Sequence, residues 1–334
     1  MKIIVPMAGR GSRLRPHTLT VPKPLVPVGG KPIVHRLVED IAKTCNDPIS
    51  EIAFIIGDFG DAVEKELIEV AAELGAKGAI YYQDEALGTA HAVLCAADSL
   101  EGPVVVAFAD TLFRADFTID PEVEGVLWVK QIDDPSAFGV VKLDDEGNIT
   151  DFVEKPKEFV SDLAMIGIYY FKDGARLKGE LQYLIDNNII KGGEYQLPDA
   201  LRNLTNQGVK FKTGQVNEWL DCGNKKVTVH TNQRVLEFDK DKELVSPKAK
   251  LTNSVIIPPC YIGAGVEIEN SVIGPHVSIG AETKVSNCVI VNTIIQKNSE
   301  IENAVLEDSM IGNHVKFDLD ALDVSIGDYC EIDQ

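Results

Sequence analysis

The chain has 334 residues, enough for one large hydrophobic core and a second, smaller unit. Acidic residues outnumber basic ones 52 to 32, which gives a formal net charge of −20, so the surface repels the phosphates of nucleic acids and anionic lipids. No apolar stretch approaches the length of a membrane span, and the N-terminal apolar run is too short for a signal peptide. Composition therefore predicts a cytoplasmic protein without nucleic-acid or membrane partners, whose phosphate sites are built from a few local groups.

Short apolar runs alternate with amphipathic stretches in the first part of the chain. Four runs predict buried strands: Lys2–Pro6, Ile52–Ile56, Ala79–Tyr82 and Pro103–Ala109. Two stretches between them place aliphatic residues on one helical face, namely Ile33, Leu37, Val38 and Ile41, and then Val63, Leu67, Val70, Ala71 and Leu74. Strands that alternate with helices predict an α/β fold with a mostly parallel sheet covered on both faces.

The pattern becomes less regular after Ala109. Four further strands are predicted at Val126–Lys130, Gly139–Leu143, Ile149–Glu154 and Ile166–Phe171. The segment Asp144–Asn148 has the composition of a hairpin connection. A helix is predicted over Asn224–Phe238, and the charged run Asp239–Glu243 is interpreted as part of a linker.

Beyond Leu251, aliphatic residues recur every five or six positions, at Ile262, Ile268, Ile273, Ile279, Val285, Ile290, Ile295, Ile301, Leu306 and Ile311. Several are followed by glycine, and the pair Ile326–Gly327 returns near the end. This period is neither helical nor that of a simple strand, and it is typical of a triangular coil. The segment resembles a hexapeptide-repeat, left-handed parallel β-helix of about four turns, whereas a β-sandwich of short strands would not space its residues so regularly. The predicted domains are 1–238, a linker at 239–250, and the coil at 251–334.

Six cysteines are scattered along the chain at Cys45, Cys95, Cys222, Cys260, Cys288 and Cys330. They form no C-x-x-C pair and show no metal-ligand spacing. Their even number leaves disulfides open, but isolated cysteines at apolar positions of a chain this size are usually small buried residues.

A glycine-rich loop follows the first strand, and a stiff segment with four prolines follows the loop. The loop reads Gly9-Arg10-Gly11-Ser12-Arg13-Leu14-Arg15-Pro16, and the backbone N–H groups of such a turn can surround phosphates. Leu14 stands where the dinucleotide fingerprint needs glycine, and Pro32 stands where a Walker A loop needs serine or threonine. The second segment has its four prolines within the eleven residues Pro22–Pro32, and it holds Lys23 between two of them at a fixed distance from the loop. Rigidly presented cations are what transfer to or from a polyphosphate needs.

Together the two segments resemble the signature of the sugar nucleotidylyltransferases, G-x-G-[ST]-R-L-x-P followed by P-K-P-L-x-P-V-x-x-K-P. The resemblance implies a Rossmann-like, mixed and mostly parallel sheet, the nucleotide-diphospho-sugar transferase fold. It implies transfer of a nucleotidyl group from a nucleoside triphosphate to a sugar-1-phosphate, with release of pyrophosphate. Further segments follow in family order, with Gln83–Ala90 similar to the base-recognition segment and Trp219–Gly223 similar to W-x-D-x-G.

The resemblance also implies roles for individual residues. The catalytic cations would be Arg13, Lys23 and Lys155. The nucleotide would contact Ala8, Gly9, Gly11, Gln83 and Gly88. The sugar phosphate would contact Gly139, Glu154, Lys155 and Tyr169. Two carboxylates, Asp110 and Asp221, would hold Mg²⁺, a hard cation that prefers oxygen ligands.

Some of these residues also have a purely structural interpretation. Asp110 could cap a helix, Gly88 could be a loop glycine, and the pair Glu154–Lys155 could be a solvated strand end. Phe138 stands where relatives often have tyrosine, and no role is predicted for the Gly193–Asp199 segment.

Substrate choice stays open between several alternatives. Gln83 favours dTTP or UTP, and Glu154-Lys155-Pro156 resembles enzymes of glucose-1-phosphate. The alternatives are a mannose-1-phosphate guanylyltransferase, a bifunctional uridylyltransferase/acetyltransferase, and a non-catalytic sensor of nucleotide sugars. His276 and His314 sit on repeat positions of the coil without an evident catalytic loop, so we expect the coil to serve structural support or contact within a homo-oligomer.

Overall fold

The computed structural model describes residues 1–9 and 11–319, so the predicted Ile326–Gly327 repeat and Cys330 lie outside the described residues. The chain divides into two units. The first comprises Met1–Val26 and Lys31–Asn224, and the second comprises Pro27–Gly30 and the chain from Lys225 onward. The second unit thus includes the helix predicted at Asn224–Phe238, which runs from Lys225 to Phe238. The domain limits 1–238, 239–250 and 251–334 stay a prediction.

Strands and helices alternate in the first part of the chain, as the sequence pattern predicts. The strands up to residue 114 are β1 Lys2–Pro6, β2 Pro27–Val28, β3 Lys31–Pro32, β4 Glu51–Ile56, β5 Lys77–Tyr82, β6 Val104–Ala107 and β7 Thr111–Arg114. The helices among them are α1 Ile33–Thr44, α2 Asp61–Glu73 and α3 Thr89–Leu94, with short 3₁₀ turns at Ser12–Leu14, Lys23–Leu25 and Ala97–Ser99. The predicted helical faces are largely buried, because their aliphatic residues recur every three or four positions.

The later part of this region mixes antiparallel strands with helices. Its strands are β8 Gly125–Gln131, β9 Gly139–Leu143, β10 Ile149–Glu154, β11 Leu163–Phe171, β12 Phe211–Gln215 and β13 Glu218–Asp221. Its helices are α4 Gly174–Asp186, α5 Leu197–Asn206 and, in the second unit, α6 Lys225–Phe238. None of the helices in the described part of the chain combines the length and hydropathy needed to cross a membrane.

A nine-stranded mixed sheet forms the centre of the first unit. One path through it runs β10-β9-β11-β6-β1-β4-β5, while β8 joins it through β11 and carries β12 on its other side. The strands β6, β1, β4 and β5 are parallel, and β11 is antiparallel to β6 and β8. The predicted α/β fold with a mixed, mostly parallel sheet is confirmed.

The predicted strand Pro103–Ala109 is shorter in the structure, where β6 ends at Ala107. The N–H of Phe108 still donates to Gly167 O at 3.0 Å. Beyond Ala107 the chain leaves the sheet, and residues Phe108–Asp110 line a cleft instead. The early end of β6 therefore places Asp110 beside the cleft.

Short parallel strands stack in three sheets in the second unit. The first sheet contains β14 Lys250–Thr252, β17 Glu267–Glu269, β20 Lys284–Ser286, β23 Glu300–Glu302 and β26 Lys316–Asp318. The second contains β15 Val255–Ile256, β18 Val272–Ile273, β21 Val289–Ile290 and β24 Val305–Leu306, and the third β16 Tyr261–Ile262, β19 Ser278–Ile279, β22 Ile294–Ile295 and β25 Met310–Ile311. The predicted hexapeptide coil is confirmed as a three-sided parallel β-helix, and its left hand stays a prediction.

The aliphatic repeat of the sequence forms the interior of this coil. Register pairs Ile262 with Ile279, Ile279 with Ile295, and Ile295 with Ile311, so each turn takes 16 or 17 residues. Left-handed backbone at the corners is supplied mainly by asparagine, which tolerates a positive φ better than most side chains: Asn253, Asn270, Asn287, Asn292, Asn298 and Asn303.

The five cysteines in the described part of the chain are free thiols. Cys222, Cys260 and Cys288 are buried, and Cys45 and Cys95 are partly buried. They are packing residues, as the sequence pattern indicates.

Candidate active site

A cleft of about 490 Å³ opens in the first unit beyond the carboxyl ends of β1 and β6. In open α/β sheets, ligands bind at this edge. The lining includes eight of the predicted site residues: Ala8, Gly9, Gly11, Arg13, Lys23, Gln83, Gly88 and Asp110. Residues that are far apart in the sequence therefore meet at one concave surface.

The glycine-rich loop packs directly on the lysine of the proline-rich segment. Gly11 has a φ of +64°, in the left-handed region that favours glycine, and a Cβ built on it would lie 2.6 Å from Lys23 Cβ. The Gly11 carbonyl accepts hydrogen bonds from Thr18 Oγ1 and from the N–H of Leu14. The two halves of the signature thus form one packed unit, in which the missing side chain of Gly11 makes room for Lys23.

Lys23 is a buried cation with a carboxylate partner. Its side chain lies in the 3₁₀ turn Lys23–Leu25, with a residue exposure of 6%. Its Nζ is 3.3 Å from Asp110 Oδ2, and the Asp110 side chain is about half exposed. A buried ammonium is costly without a partner, so the lysine is held close to Asp110 and to the cleft.

Asp221 is brought close to Asp110 by a pair of short strands. Antiparallel β13 and β7 place Asp221 opposite Thr111, and the N–H of Cys222 donates to Asp110 O at 3.0 Å. Burial raises the pKa of the Asp221 carboxyl, Lys23 lowers it, and the negative charge of Asp110 raises it; the net shift is upward. The two carboxylates are therefore close enough for their negative charges to repel each other.

The two aspartates fit a hard divalent cation. Both offer carboxylate oxygens, the ligands that Mg²⁺ prefers, and the cation usually keeps water or ligand oxygens in its remaining positions. The described residues contain no group of three or more histidines, cysteines or acidic side chains placed to hold a metal ion by themselves. Asp110 and Asp221 supply two carboxylates, and their role as metal ligands stays a prediction.

The predicted base-recognition segment lies on the opposite wall of the cleft. Gln83 follows β5, and its N–H donates to Ile56 O at the end of β4. Its side-chain Nε2 is 3.3 Å from Gly88 O and 3.1 Å from His91 Nδ1. The sequence pattern did not indicate that His91, in α3, contacts Gln83.

Gly88 is required by close packing of the backbone. A Cβ at this position would lie 2.4 Å from Tyr195 O and 2.8 Å from Tyr195 N. The N–H of Tyr195 donates to Leu87 O, and the Tyr195 carbonyl accepts from Ala90. The glycine therefore lets the Gly193–Asp199 segment close over the start of α3, a packing role in addition to the predicted nucleotide contact.

Glu194 is a cleft residue to which the sequence assigned no role. It lies in the Gly193–Asp199 segment, is exposed, and borders the same cleft as Gln83 and Gly88. No role was predicted for it because the segment matches the family pattern only loosely. Its carboxylate adds an acceptor at the base-side wall.

The predicted sugar-phosphate residues Gly139, Glu154 and Lys155 lie on β9, β10 and the residue after β10, outside the lining of the main cleft. A Cβ on Gly139 would lie 2.8 Å from Glu154 Oε2, so the glycine makes room for the carboxylate. Lys155 Nζ is 3.7 Å from Glu154 Oε1, and both side chains are exposed. Lys155 also has a φ of +43°, which is uncommon for a residue other than glycine.

Tyr169 connects this region to the cleft. It lies on β11, is buried, and packs edge-on against Phe108, which lines the cleft. Burial raises the pKa of its hydroxyl, and the charges of Glu154 and Asp110 raise it further. Tyr169 is therefore an un-ionised group within electrostatic reach of both the predicted sugar residue and the predicted metal ligand.

Phe138 lacks the hydroxyl that relatives often have at this position, and its ring packs on Trp219 instead. The two ring centroids are 4.8 Å apart and the rings are tilted by 69°. Such edge-to-face pairs are favourable beyond the area that they bury. The contact supports β13, which ends at Asp221.

Comparisons with known proteins match both parts of the chain. Residues 2–237 match the nucleotidyl transferase family, and residues 240–321 match the GlmU-like C-terminal hexapeptide region. The bifunctional protein GlmU of Methanococcus aeolicus is 30% identical over 80% of this chain, which spans 62% of that relative's length. The glucose-1-phosphate thymidylyltransferase of Streptomyces antibioticus is 31% identical over 80% of this chain and 79% of its own length.

A solved structure agrees with this assignment. A Bacillus anthracis crystal structure with sucrose, described as a possible glucose-1-phosphate thymidylyltransferase, superposes with a TM-score of 0.57. It is 26% identical, and the match covers 69% of this chain and 93% of the other. The chain belongs to the nucleotidyl transferase family of enzymes.

Proposed function

We propose that this protein transfers a nucleotidyl group from a nucleoside triphosphate to a sugar-1-phosphate, giving a nucleoside diphosphate sugar and pyrophosphate. The observation that carries the proposal is the buried Lys23 ammonium, 3.3 Å from Asp110 at a cleft that the glycine-rich loop also lines. A cation fixed this firmly beside a cleft of about 490 Å³ serves charge stabilisation rather than surface solubility.

The reaction is a single in-line displacement. An ionised phosphate oxygen of the sugar-1-phosphate forms a bond to the α-phosphorus of the nucleotide, and the bond to the pyrophosphate oxygen breaks. Since the nucleophile is already an anion, no strong general base is needed, and the main barrier is repulsion between anions.

Three basic groups oppose that repulsion. Lys23 neutralises phosphates near the reacting centre, Arg13 neutralises the departing pyrophosphate, and Lys155 holds the incoming sugar phosphate. Arg13 lies in the turn Ser12–Leu14 at the cleft, and its charge reaches Asp221. Asp110 and Asp221 would hold Mg²⁺, which would supply positive charge to the phosphate oxygens.

Gln83 favours a pyrimidine nucleotide, dTTP or UTP. Similarity to proteins named as glucose-1-phosphate thymidylyltransferases supports glucose-1-phosphate as the sugar substrate of this protein. A mannose-1-phosphate guanylyltransferase is the alternative of the same class, since its first motifs are nearly the same. A sensor without catalytic activity is disfavoured by the presence of Lys23 and both aspartates.

The second candidate function is a bifunctional uridylyltransferase/acetyltransferase. It is favoured by the match of residues 240–321 to the GlmU-like coil and by relatives named bifunctional protein GlmU. Against an acetyltransfer role for His276, its side chain is only 15% exposed. The expected homo-oligomer stays a prediction.

One assay tests the proposal. The protein is incubated with Mg²⁺, each of four sugar-1-phosphates and each of five nucleoside triphosphates, and pyrophosphate release is followed. We expect release that needs both substrates and stops with EDTA. Release without any sugar phosphate, or none with any pair, would contradict the proposal, and hydrolysis of acetyl-CoA stimulated by an amino-sugar phosphate would support the second function.

A further inference from the structure

The amide of Gln83 has only one orientation that its neighbours allow. Its terminal nitrogen faces the Gly88 carbonyl at 3.3 Å and His91 Nδ1 at 3.1 Å. A carbonyl oxygen can only accept, so the group facing Gly88 must be the amide NH₂ and not the amide oxygen. The backbone of Gly88 therefore fixes which end of the amide is held by the protein.

His91 reinforces the same orientation from the other side. An amide NH₂ donates and does not accept, so in this contact Nδ1 of His91 is the accepting nitrogen of the ring. Both hydrogens of the Gln83 amide are then used, one by Gly88 and one by His91. Without His91 the second hydrogen would lose its acceptor, and rotation of the side chain would cost less.

The amide oxygen of Gln83 is left to accept a hydrogen bond from a ligand. Gln83 borders the cleft and is half-buried, and no residue in the described part of the chain donates to its Oε1. The wall therefore presents a hydrogen-bond acceptor to the base. An acceptor pairs with the ring N–H of uracil, thymine or guanine, whereas cytosine and adenine present an unprotonated ring nitrogen there and are repelled.

We propose that His91 is a positioning residue that sets the base specificity of this cleft through the orientation of Gln83. The substrate class follows from the chemistry: nucleotides whose base carries a ring N–H beside a carbonyl are accepted, and cytidine and adenosine nucleotides are rejected. This inference rests on the proposed function, since it concerns the nucleotide of the same reaction. His91 acts on the base only through Gln83 and takes no part in bond making.

The test compares His91→Leu with His91→Asn. Leucine removes the acceptor and replaces the imidazole of α3 with an apolar side chain of similar size, whereas the Asn Oδ1 can occupy the place of Nδ1. A site built to pair with a polar group normally rejects analogues strongly. We expect His91→Leu to lower the ratio of kcat/KM for UTP over CTP by about tenfold or more, and His91→Asn to restore most of it.

Two controls separate specificity from general damage. His230→Leu makes the same change at an exposed histidine of α6, in the other unit, and should leave the ratio unchanged. In a Gln83→Leu background, His91→Leu should change the ratio no further, because its effect passes through Gln83. Equal losses with UTP and CTP, or an additional change in the Gln83→Leu background, would overturn the inference.

Equilibrium binding tests the role of His91 independently of whether the protein transfers a nucleotidyl group. UTP and CTP are titrated against a fluorescent nucleotide bound to wild type and to His91→Leu, in Mg²⁺ and without a sugar phosphate. Wild type that prefers UTP, with the preference lost in His91→Leu, supports the inference even if no transfer is found with any sugar. Unchanged preference in His91→Leu refutes it even if transfer is active.

Discussion

Replacing Gly11 with alanine tests whether the glycine loop sets the position of Lys23. The new Cβ would lie 2.6 Å from Lys23 Cβ, whereas carbon atoms in ordinary contact are about 3.5–4.0 Å apart. Lys23 or the loop must therefore move by about 1 Å, and a misplacement of about 1 Å at a catalytic site costs about 100-fold in rate. We expect Gly11→Ala to lower kcat/KM for pyrophosphate release by about 100-fold.

Gly102→Ala is the matched control. Gly102 has the same φ of +64°, but a Cβ there meets no atom within 4 Å. Both variants place alanine in the left-handed region, which costs about 1–2 kcal/mol of stability. Only Gly11→Ala also presses on Lys23, so denaturant unfolding should show a loss in both variants, and kinetics should show a loss in one.

The kinetic comparison of the two variants decides whether the position of Lys23 limits the reaction. If Gly11→Ala and Gly102→Ala release pyrophosphate with similar kcat/KM, the position of Lys23 does not limit the reaction. The central role given to this lysine would then be wrong, whatever the stability of the two variants.

Three further substitutions probe the rest of the molecule. Asp221→Asn should abolish transfer but stabilise the ligand-free protein at neutral pH, because burial and the charge of Asp110 raise the Asp221 pKa. The gain in Tm should vanish as the pH falls through that raised pKa, because the native carboxyl is then protonated. A gain in Tm that does not depend on pH would contradict this. Lys155→Asn, which tolerates the φ of +43°, should raise KM for the sugar phosphate by about tenfold while KM for the nucleotide stays unchanged; equal shifts would argue against the assignment. Gly30→Ala would place a Cβ 2.2 Å from the Tyr261 ring and should destabilise the second unit by about 1–3 kcal/mol in urea, a loss that Tyr261→Ala in the same chain should relieve in part.

Elements with local signals were predicted well from the sequence. The bounds of β9 and β10 are those predicted, because an apolar run on each side of Asp144–Asn148 fixes both strands and their turn. The aliphatic repeat predicted the coil for the same reason, since every inward position recurs at a short, regular interval. These signals lie within a few residues of the structure that they determine.

Features that depend on distant contacts were not visible. The four-residue strands β7 and β13 carry too few apolar residues to be recognised, although their pairing brings Asp221 to Asp110. The packing role of Gly88 depends on Tyr195, more than a hundred residues away. The meeting of the two aspartates was expected from the family resemblance and not from any pattern in the chain.

The composition of the second unit also depends on distant contacts. Asn232 on α6 is fully buried, and its Oδ1 accepts hydrogen bonds from the N–H of Gly29 and from Ser278 Oγ. Its Nδ2 donates to His276 O. One buried amide thus joins a short turn near the N-terminus to the helix and to the coil, and no periodicity in the sequence indicates such a link.

The charge balance of the candidate site predicts that this acidic protein binds a polyphosphate with the help of a divalent cation. Lys23 and Lys155 form ion pairs with Asp110 and Glu154, and the charge of Arg13 reaches Asp221. These pairs carry no net charge, and Glu194 adds a further negative charge at the same cleft. We therefore expect the positive charge that offsets a triphosphate to come from a cation bound by the two aspartates. EDTA should accordingly weaken UTP binding, measured by calorimetry, more than Lys155→Asn or any other single loss of a basic side chain does, and tight binding in EDTA would show that the basic groups suffice.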